Sequence, residues 1–423
     1  MSDTMPQLAL DGGAPVTTEP FPTTLLGPAA IGEEEVEAVA AVVRSQRLFR
    51  FLDHANSHCT RLENLFCEMT GCAHALAVGG GTGSLIAALV GIGVGDGDEV
   101  IVPAYTYIAS AAAVLICGAV PVIAEIDDSL TIDPEDIEKN ITPRTKAIMP
   151  VHMRGIPCDM DRVMAVARQH DLLVIEDCAQ ACGASYKGKR VGSIGDVGCF
   201  SLQQFKVITA GEGGMVVTNR REVFERAAVR HDSAMCFWNP EDTSIEPFAG
   251  ENFRMNEMEG SLGCVQFGRM EDILARTRAL YKRIGDGVAG CGVHLRTSPD
   301  PKGDLGITVV LRLDTGPQAK WFAEALRAEG IPAGSLYDKG IPDRHIFCYW
   351  EYVMDKRSSD AHGRPWTSPL HDASRTYRRD MCPRTLDILG RTVTIALSQT
   401  FEDRHADWIV EGIRKVAAAR HVA

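Results

Sequence analysis

The sequence contains no CxxC pair, although it uses Cys 13 times in 423 residues. A zinc ribbon or a thioredoxin-type redox site therefore has no support. Cys178 and Cys182 stand four apart with no matching second pair, so small buried thiols are the better reading and no metal site is expected. An odd number of scattered thiols fits a reducing compartment, and a cytoplasmic location is expected. No stretch approaches the roughly 18 uninterrupted apolar residues of a membrane span. The opening residues, MSDTMPQLALDGGAPV, lack the basic region and apolar run of a signal peptide. Basic residues are in deficit: 43 Lys and Arg against 56 Asp and Glu leave a formal charge of −13. That balance argues against nucleic acid or an anionic membrane as a partner. Internal repeats and low-complexity tracts are also missing.

What remains is an ordinary globular composition, 45% hydrophobic and 23% charged. At about 150 residues per domain the length points to two to three domains. Residues 1–30 are dense in Pro and Gly and read as an extended arm. A helix begins near Glu33, with Val36, Val39, Ala40 and Val43 on one face, and a second covers Arg61–Met69. Then short apolar runs alternate with helical patterns. The strands expected are Ala75–Val78, Glu99–Pro103, Pro121–Ile126, Lys146–Met153, Leu172–Asp177, Gly198–Leu202 and Gly214–Thr218. The intervening helices expected are Ser84–Val90, Ile108–Ile116, Pro134–Ile141 and Met160–His170. Such alternation predicts an α/β fold with a mostly parallel sheet covered on both faces. Sheets of that kind place ligands beyond the carboxyl ends of their strands. Past Phe267 the texture changes to an Arg-rich helix over Met270–Ile284, a strand–helix pair over Leu305–Leu313 and Gln318–Gly330, an aromatic loop over Gly340–Met354 and a last helix over Ala406–Ala419. The division expected is an arm over 1–30, a large domain over 31–270 and a smaller domain over 271–423.

Three segments carry chemistry. Gly79-Gly80-Gly81-Thr82-Gly83-Ser84 lies between a strand and a helix, where bare backbone and a helix start can hold a phosphate. Its spacing matches neither Walker A nor GxGxxG, and a tight structural turn is nearly as good a reading. Val174–Gln180 delivers the carboxylate of Asp177 to a strand end, either as a cap or as a buried acid that holds a cationic nitrogen. Ser201–Gly214 sets Lys206 among apolar residues before a Gly-rich turn, where a lysine can lose its proton and form a Schiff base. Lys, acid and phosphate cup are together the needs of pyridoxal phosphate.

On these residues the sequence resembles the DegT/DnrJ/StrS family of pyridoxal-phosphate-dependent sugar and cyclitol aminotransferases. GIGVGDGDEVIVPAYTYIAS, ITPRTKAIMPVHMRG, VIEDCAQACGASYKGKRVGSIGDVGCFS, QQFKVITAGEGGMVVTN and GENFRMNEMEG are similar to the family's signatures and follow in the same order. The resemblance runs from about Leu8 to the last helix. It implies an aspartate-aminotransferase-like fold (fold type I), with a large mostly parallel-sheet domain, a smaller α+β domain and a homodimer whose active sites are shared. It implies Lys206 as the Schiff-base lysine, Asp177 beside the pyridine nitrogen, Tyr107 stacked on the ring and Gln180 near the ring hydroxyl. Thr82, Gly83 and Ser201 match phosphate contacts, and Asn252 matches an asparagine that reaches the phosphate from the neighbouring subunit. Gly80 departs from the pattern, since many members carry Asn there.

The function implied is transfer of an amino group from glutamate or glutamine to a keto-sugar or keto-cyclitol. Relatives that act as sugar dehydratases carry His in place of the lysine, so Lys206 favours transamination. An aromatising synthase that dehydrates a cyclic precursor, and a non-catalytic regulatory relative, are the alternatives. The acceptor's contacts are sought in Tyr337–Trp350, in the insert Met235–Phe248 and at Arg254, with Arg344 and Lys339 as partners for an anionic group. Trp238 and His345 are read as packing or surface residues ahead of substrate contact.

Overall fold

Near-continuous apolar runs become strands buried on both faces in the computed structural model, which describes residues 7–233 and 244–419. The larger sheet takes β1 (His74–Val78), β2 (Glu99–Pro103), β3 (Val120–Ala124), β4 (Thr145–Ile148) and β5 (Leu173–Asp177). A separate ribbon of β6 (Ser185–Tyr186) and β7 (Lys189–Arg190) follows. The large sheet is completed by β8 (Val197–Ser201) and β9 (Gly214–Thr218). Its order is β1-β9-β8-β5-β4-β2-β3, and β9 alone runs against the rest. The carboxyl ends of the other six strands therefore share one edge, where each hands the chain to a loop.

Helices cover both faces. Gly81–Gly91 is apolar all round, and Ser84–Leu89 are buried between the sheet and its neighbouring helices. It starts inside the Gly-rich loop, three residues before the predicted start at Ser84. Strand β4 ends at Ile148, short of the predicted Met153, because Pro150 has no N–H to continue a ladder and a 3₁₀ turn follows over Met153–Gly155.

The predicted helix Met270–Ile284 is the middle of a much longer one, Glu257–Val288. Asn256 caps it by accepting from the N–H groups of Met258 and Glu259, while the Glu259 carboxylate accepts from the N–H of Asn256. The glycines that make its start unlike a helix are contact points. A Cβ on Gly260 would lie 2.7 Å from the backbone nitrogen of Cys59, and one on Gly263 2.8 Å from Leu62 Cδ2. They let the helix lie close against His58–Thr70.

The far half of this helix packs on a second sheet, entirely antiparallel, of β10 (His294–Leu295), β11 (Thr308–Arg312), β12 (Ala333–Ser335) and β13 (Thr392–Ala396), ordered β10-β11-β13-β12. Helices Gly316–Ala328 and Asp403–Ala419 cover it, burying Phe322, Leu326, Ile409 and Ile413. The segment from residue 7 is tied to this body: the Glu329 carboxylate accepts from the N–H groups of Ala9 and Val16 and from Lys415 Nζ.

The aromatic loop turns inward. Phe347 and Trp350 are fully buried in the core beneath the large sheet, and Trp350 Nε1 donates to the Arg344 carbonyl. The loop backbone pairs with the chain leaving β2, the N–H groups of Thr106 and Ile108 donating to the carbonyls of His345 and Arg344. No helix among the described residues is long and apolar enough to cross a membrane.

Candidate active site

A cavity of about 560 Å³ opens beyond the carboxyl ends of β1, β2, β5 and β8. The strand ends supply its walls because each apolar run stops there and its last polar residue meets the opening. From β1 comes Gly80, leading to Gly81 and Thr82 at the first turn of helix Gly81–Gly91. The N–H groups of such a first turn have no partner within the helix and face outward. A Cβ on Gly81 would lie 2.7 Å from Ser201 Cβ at the end of β8, so only glycine lets the two approach. Gly80 itself has open space around the position of a Cβ.

Asp177 ends β5 and is 4% exposed. Its Oδ2 accepts from Ser110 Oγ at 2.9 Å and its Oδ1 from the N–H of Ala179 at 3.1 Å. One oxygen thus fastens a turn, with no helix after it for the acid to cap, and the carboxylate lines the cavity. Burial pushes its proton affinity above the usual carboxylate range, against the pull of those two donors and of Lys206 and His152. Lys206 lines the same cavity. Burial pulls its ammonium below the usual lysine range, opposed by Asp177 and Glu212.

Thr106, at the other end of the Ser110 hydroxyl, extends the chain of donors with a 2.7 Å contact. Gln180 lines the cavity and its Oε1 accepts from the N–H of Arg154 at 3.2 Å. Arg154 holds a left-handed backbone, φ 54° and ψ 39°, unusual for a residue with a Cβ and worth about 1–3 kcal/mol of strain. Its Nε donates to Tyr105 Oη at 2.7 Å. Tyr107 stands at the mouth, 49% exposed, with its ring 5.3 Å from that of His345.

Below Asp177 lie His152, Glu176 and Cys178, all buried, with possible ligand atoms within 4.8 Å of one another. Their lone pairs are committed. Glu176 accepts from the N–H groups of Gly192, Ile194 and Gly195 and pairs with His152 Nε2 at 3.1 Å, while His152 Nδ1 accepts from the N–H of Cys158. Burial drives the Cys178 thiol well up. The group braces the strand end, since the backbone N–H of His152 donates to the Asp177 carbonyl at 3.0 Å.

The cavity brings together Thr82, Tyr107, Asp177, Gln180, Ser201 and Lys206 from across the sequence. Gly83 stands one position behind it, where a Cβ would meet Phe253 Cδ2 at 3.1 Å. Asn252 is exposed and bridges to Asp232, away from the cavity. Arg344, Lys339 and Arg254 do not line it either: Lys339 faces a different cavity, and the Arg254 guanidinium lies over Phe49. Trp238 and most of its insert fall outside the described residues. Ser110, Gln203 and Glu212, which the sequence reading passed over, line it, and so does His345, read there as packing or surface ahead of substrate contact. For Ser110 a signal exists, the i, i+4 spacing from Thr106 in the first turn after β2; His345 arrives from a distant loop, within the Tyr337–Trp350 region where acceptor contacts are sought.

The family model described as the DegT/DnrJ/EryC1/StrS aminotransferase family matches residues 29–364. The chain belongs to that family. Among its relatives, a GDP-perosamine synthase of Caulobacter vibrioides is 46% identical over 50% of this chain and 57% of its own length. An L-glutamine:2-deoxy-scyllo-inosose aminotransferase of Streptoalloteichus tenebrarius is 40% identical over 61% of this chain and 60% of its own. The chain thus spans less than two thirds of both. An aminotransferase of Psychrobacter cryohalolentis, known by X-ray structure, superposes with a TM-score of 0.76 at 29% identity, covering 95% of this chain and 99% of that one. Fold type I is the architecture shared.

Proposed function

We propose that the chain is a pyridoxal-phosphate-dependent aminotransferase that moves an amino group from glutamate or glutamine to a keto-sugar or keto-cyclitol. The observation that carries this is the pairing, in one cavity, of a lysine whose proton affinity burial has lowered with a buried carboxylate. The residues fit the cofactor. Gly81 leaves the helix start and Ser201 open to a phosphate, Asp177 offers a buried acceptor, and Lys206 offers the amine. When bound, pyridoxal phosphate supplies an aldehyde for an amine and a conjugated ring that takes up an electron pair released at the donor's Cα.

The chain's own residues do the rest. Thr82 and Ser201, with the amides of the first helical turn that includes Gly83, would hold the phosphate. Asp177, kept in place by Ser110 and the Ala179 N–H, would hold a proton on the pyridine nitrogen. Tyr107 would stack on the ring and Gln180 would meet its hydroxyl. Lys206 Nζ would take the proton from the donor's Cα, and the same amine would serve in reverse when a ketone takes the donor's place. Asn252, exposed here, would reach the phosphate of a second copy in a homodimer. The 31–270 and 271–423 division and a cytoplasmic location belong to the same proposal. The name of the Streptoalloteichus relative supports glutamine as donor and a cyclitol as acceptor.

Protein reconstituted with pyridoxal phosphate should be yellow and should lose that colour on adding glutamate or glutamine. Colour that persists with every amino donor contradicts the reading.

A further inference from the structure

His345 is a cavity residue for which the transamination scheme has no use. Its backbone carbonyl is fixed to the chain leaving β2 by the Thr106 N–H. Its ring leans on Tyr107 at the mouth, centroids 5.3 Å apart and planes tilted by 52°. Asp343 grips it twice, Oδ1 accepting from the backbone N–H at 2.9 Å and from ring Nδ1 at 2.8 Å. Burial pushes the Asp343 carboxyl up, but the bonds from His345 and the charge of Arg154 outweigh it and hold it below the usual range. In the neutral ring an ionised acceptor at Nδ1 puts the proton there and leaves the lone pair on Nε2. Among the described residues nothing donates to or accepts from that nitrogen, and the side chain is 33% exposed at the cavity.

A hydrogen-bond acceptor so placed calls for a donor on the ligand. Lys206 is the sole Lys or Arg among the described residues lining the cavity, and Glu212, Gln203 and Gln180 add further oxygens. That lining suits a ligand rich in hydroxyl groups. Glutamate and glutamine carry none, whereas a keto-sugar or keto-cyclitol carries several. We propose that His345, held by Asp343, recognises the amino acceptor, its Nε2 accepting a hydrogen bond from a hydroxyl of a polyhydroxylated ketone. This rests on the aminotransferase reading above and assigns one residue to one half of that reaction.

The two halves are measured separately on the pyridoxal-phosphate-loaded enzyme. Loss of colour with glutamine or glutamate follows the donor half. Its return on adding 2-deoxy-scyllo-inosose, or the ketone from a keto-sugar and keto-cyclitol panel that wild type uses best, follows the acceptor half. His345→Phe should leave the donor half within about 2-fold of wild type and lower acceptor kcat/KM by about 10–100-fold, mainly through KM. His345→Gln, whose amide oxygen can accept, should recover part of that loss, and Asp343→Asn should show a smaller loss in the same half. Against the monodeoxy ketone that lacks the contacted hydroxyl, wild type and His345→Phe should converge. Unchanged acceptor kcat/KM in His345→Phe, equal losses in both halves, or one constant penalty on every deoxy analogue overturns the assignment. A wild type that performs the donor half but shows no difference from the variants in the acceptor half refutes His345 alone; a wild type inactive in both halves refutes the aminotransferase reading and this one with it.

Discussion

Asp177 and Lys206 sit in one cavity and shift each other: the carboxylate tempers the loss of the lysine's proton, and the ammonium tempers the carboxylate's gain of one. Replacing Lys206 by Ala removes the proposed proton carrier, and turnover should fall by at least ~10³-fold, with no yellow colour retained after dialysis. Ser110→Ala is the finer probe. It deletes one of two donors to a buried carboxylate, a bond worth about 1.5–3 kcal/mol when the acceptor is charged. The variant should fold and bind pyridoxal phosphate more weakly, by roughly 10-fold or more in Kd by absorbance titration; a Kd equal to wild type would show that Ser110 does not position Asp177. The acid was legible in the sequence because it closes an apolar run, and the lysine because it stands among Phe205, Val207 and Ile208 before a Gly-rich turn. Ser110 offered only its i, i+4 spacing from Thr106 and His345 was read as packing or surface, because their places at the cavity depend on β2's exit, β5 and a loop near residue 345 meeting.

At the scale of elements, glycine was the residue most easily misread. Gly81 looks like loop and is the first residue of a helix. Gly81→Ala would press a methyl group against Ser201, at an overpacking cost of about 1–3 kcal/mol. We expect a lowered Tm and a larger loss of pyridoxal phosphate affinity than at Gly80→Ala, where nothing lies within 4 Å of the Cβ. Equal effects at the two positions, read by thermal melts and cofactor titration, would remove the cradle from the account. Gly260 and Gly263 are the same lesson in a longer helix: their closeness to Cys59 and Leu62 is a tertiary fact that no window of sequence contains. The strands, by contrast, were located to within a residue or two at most ends, since burial on both faces leaves a continuous apolar run. The aromatic loop was found but its direction was not. Phe347 and Trp350 are core, and the polar His345 between them and Asp343 is what reaches the cavity.

For the whole molecule, the charge of −13 says little about stability, but one buried group gives it a pH dependence. His231 is fully buried, and its Nδ1 donates to the Ala228 carbonyl at 2.5 Å. Burial first, then the charges of Arg50 and Arg254, lower its pKa to about 3. Unfolded, it titrates near 6.5, so between those values the unfolded chain binds the extra proton and stability falls as pH falls. From pH 7.5 to 5 this one group should cost about 2 kcal/mol, at ~1.4 kcal/mol per pH unit below 6.5. In urea unfolding, His231→Leu should therefore lose less stability than wild type over that interval, whatever its stability at pH 7.5; an identical pH slope would contradict the assignment. The fold class was readable from the alternation of strands and helices; the second sheet was not, since of its four strands only the one within Leu305–Leu313 was expected. Which ketone the cavity takes was not, because that depends on side chains from separate elements and on geometry at the mouth.

The central claim is that this cavity transfers nitrogen through Lys206. Glutamate labelled with ¹⁵N at its amine, or glutamine so labelled, is supplied with pyridoxal phosphate and the ketone panel, and the products are read by mass spectrometry. The account predicts an amine carrying one ¹⁵N and one equivalent of the 2-oxo acid, both absent with Lys206→Ala. Label left entirely in the amino acid for every ketone, or transfer undiminished in Lys206→Ala, would contradict it.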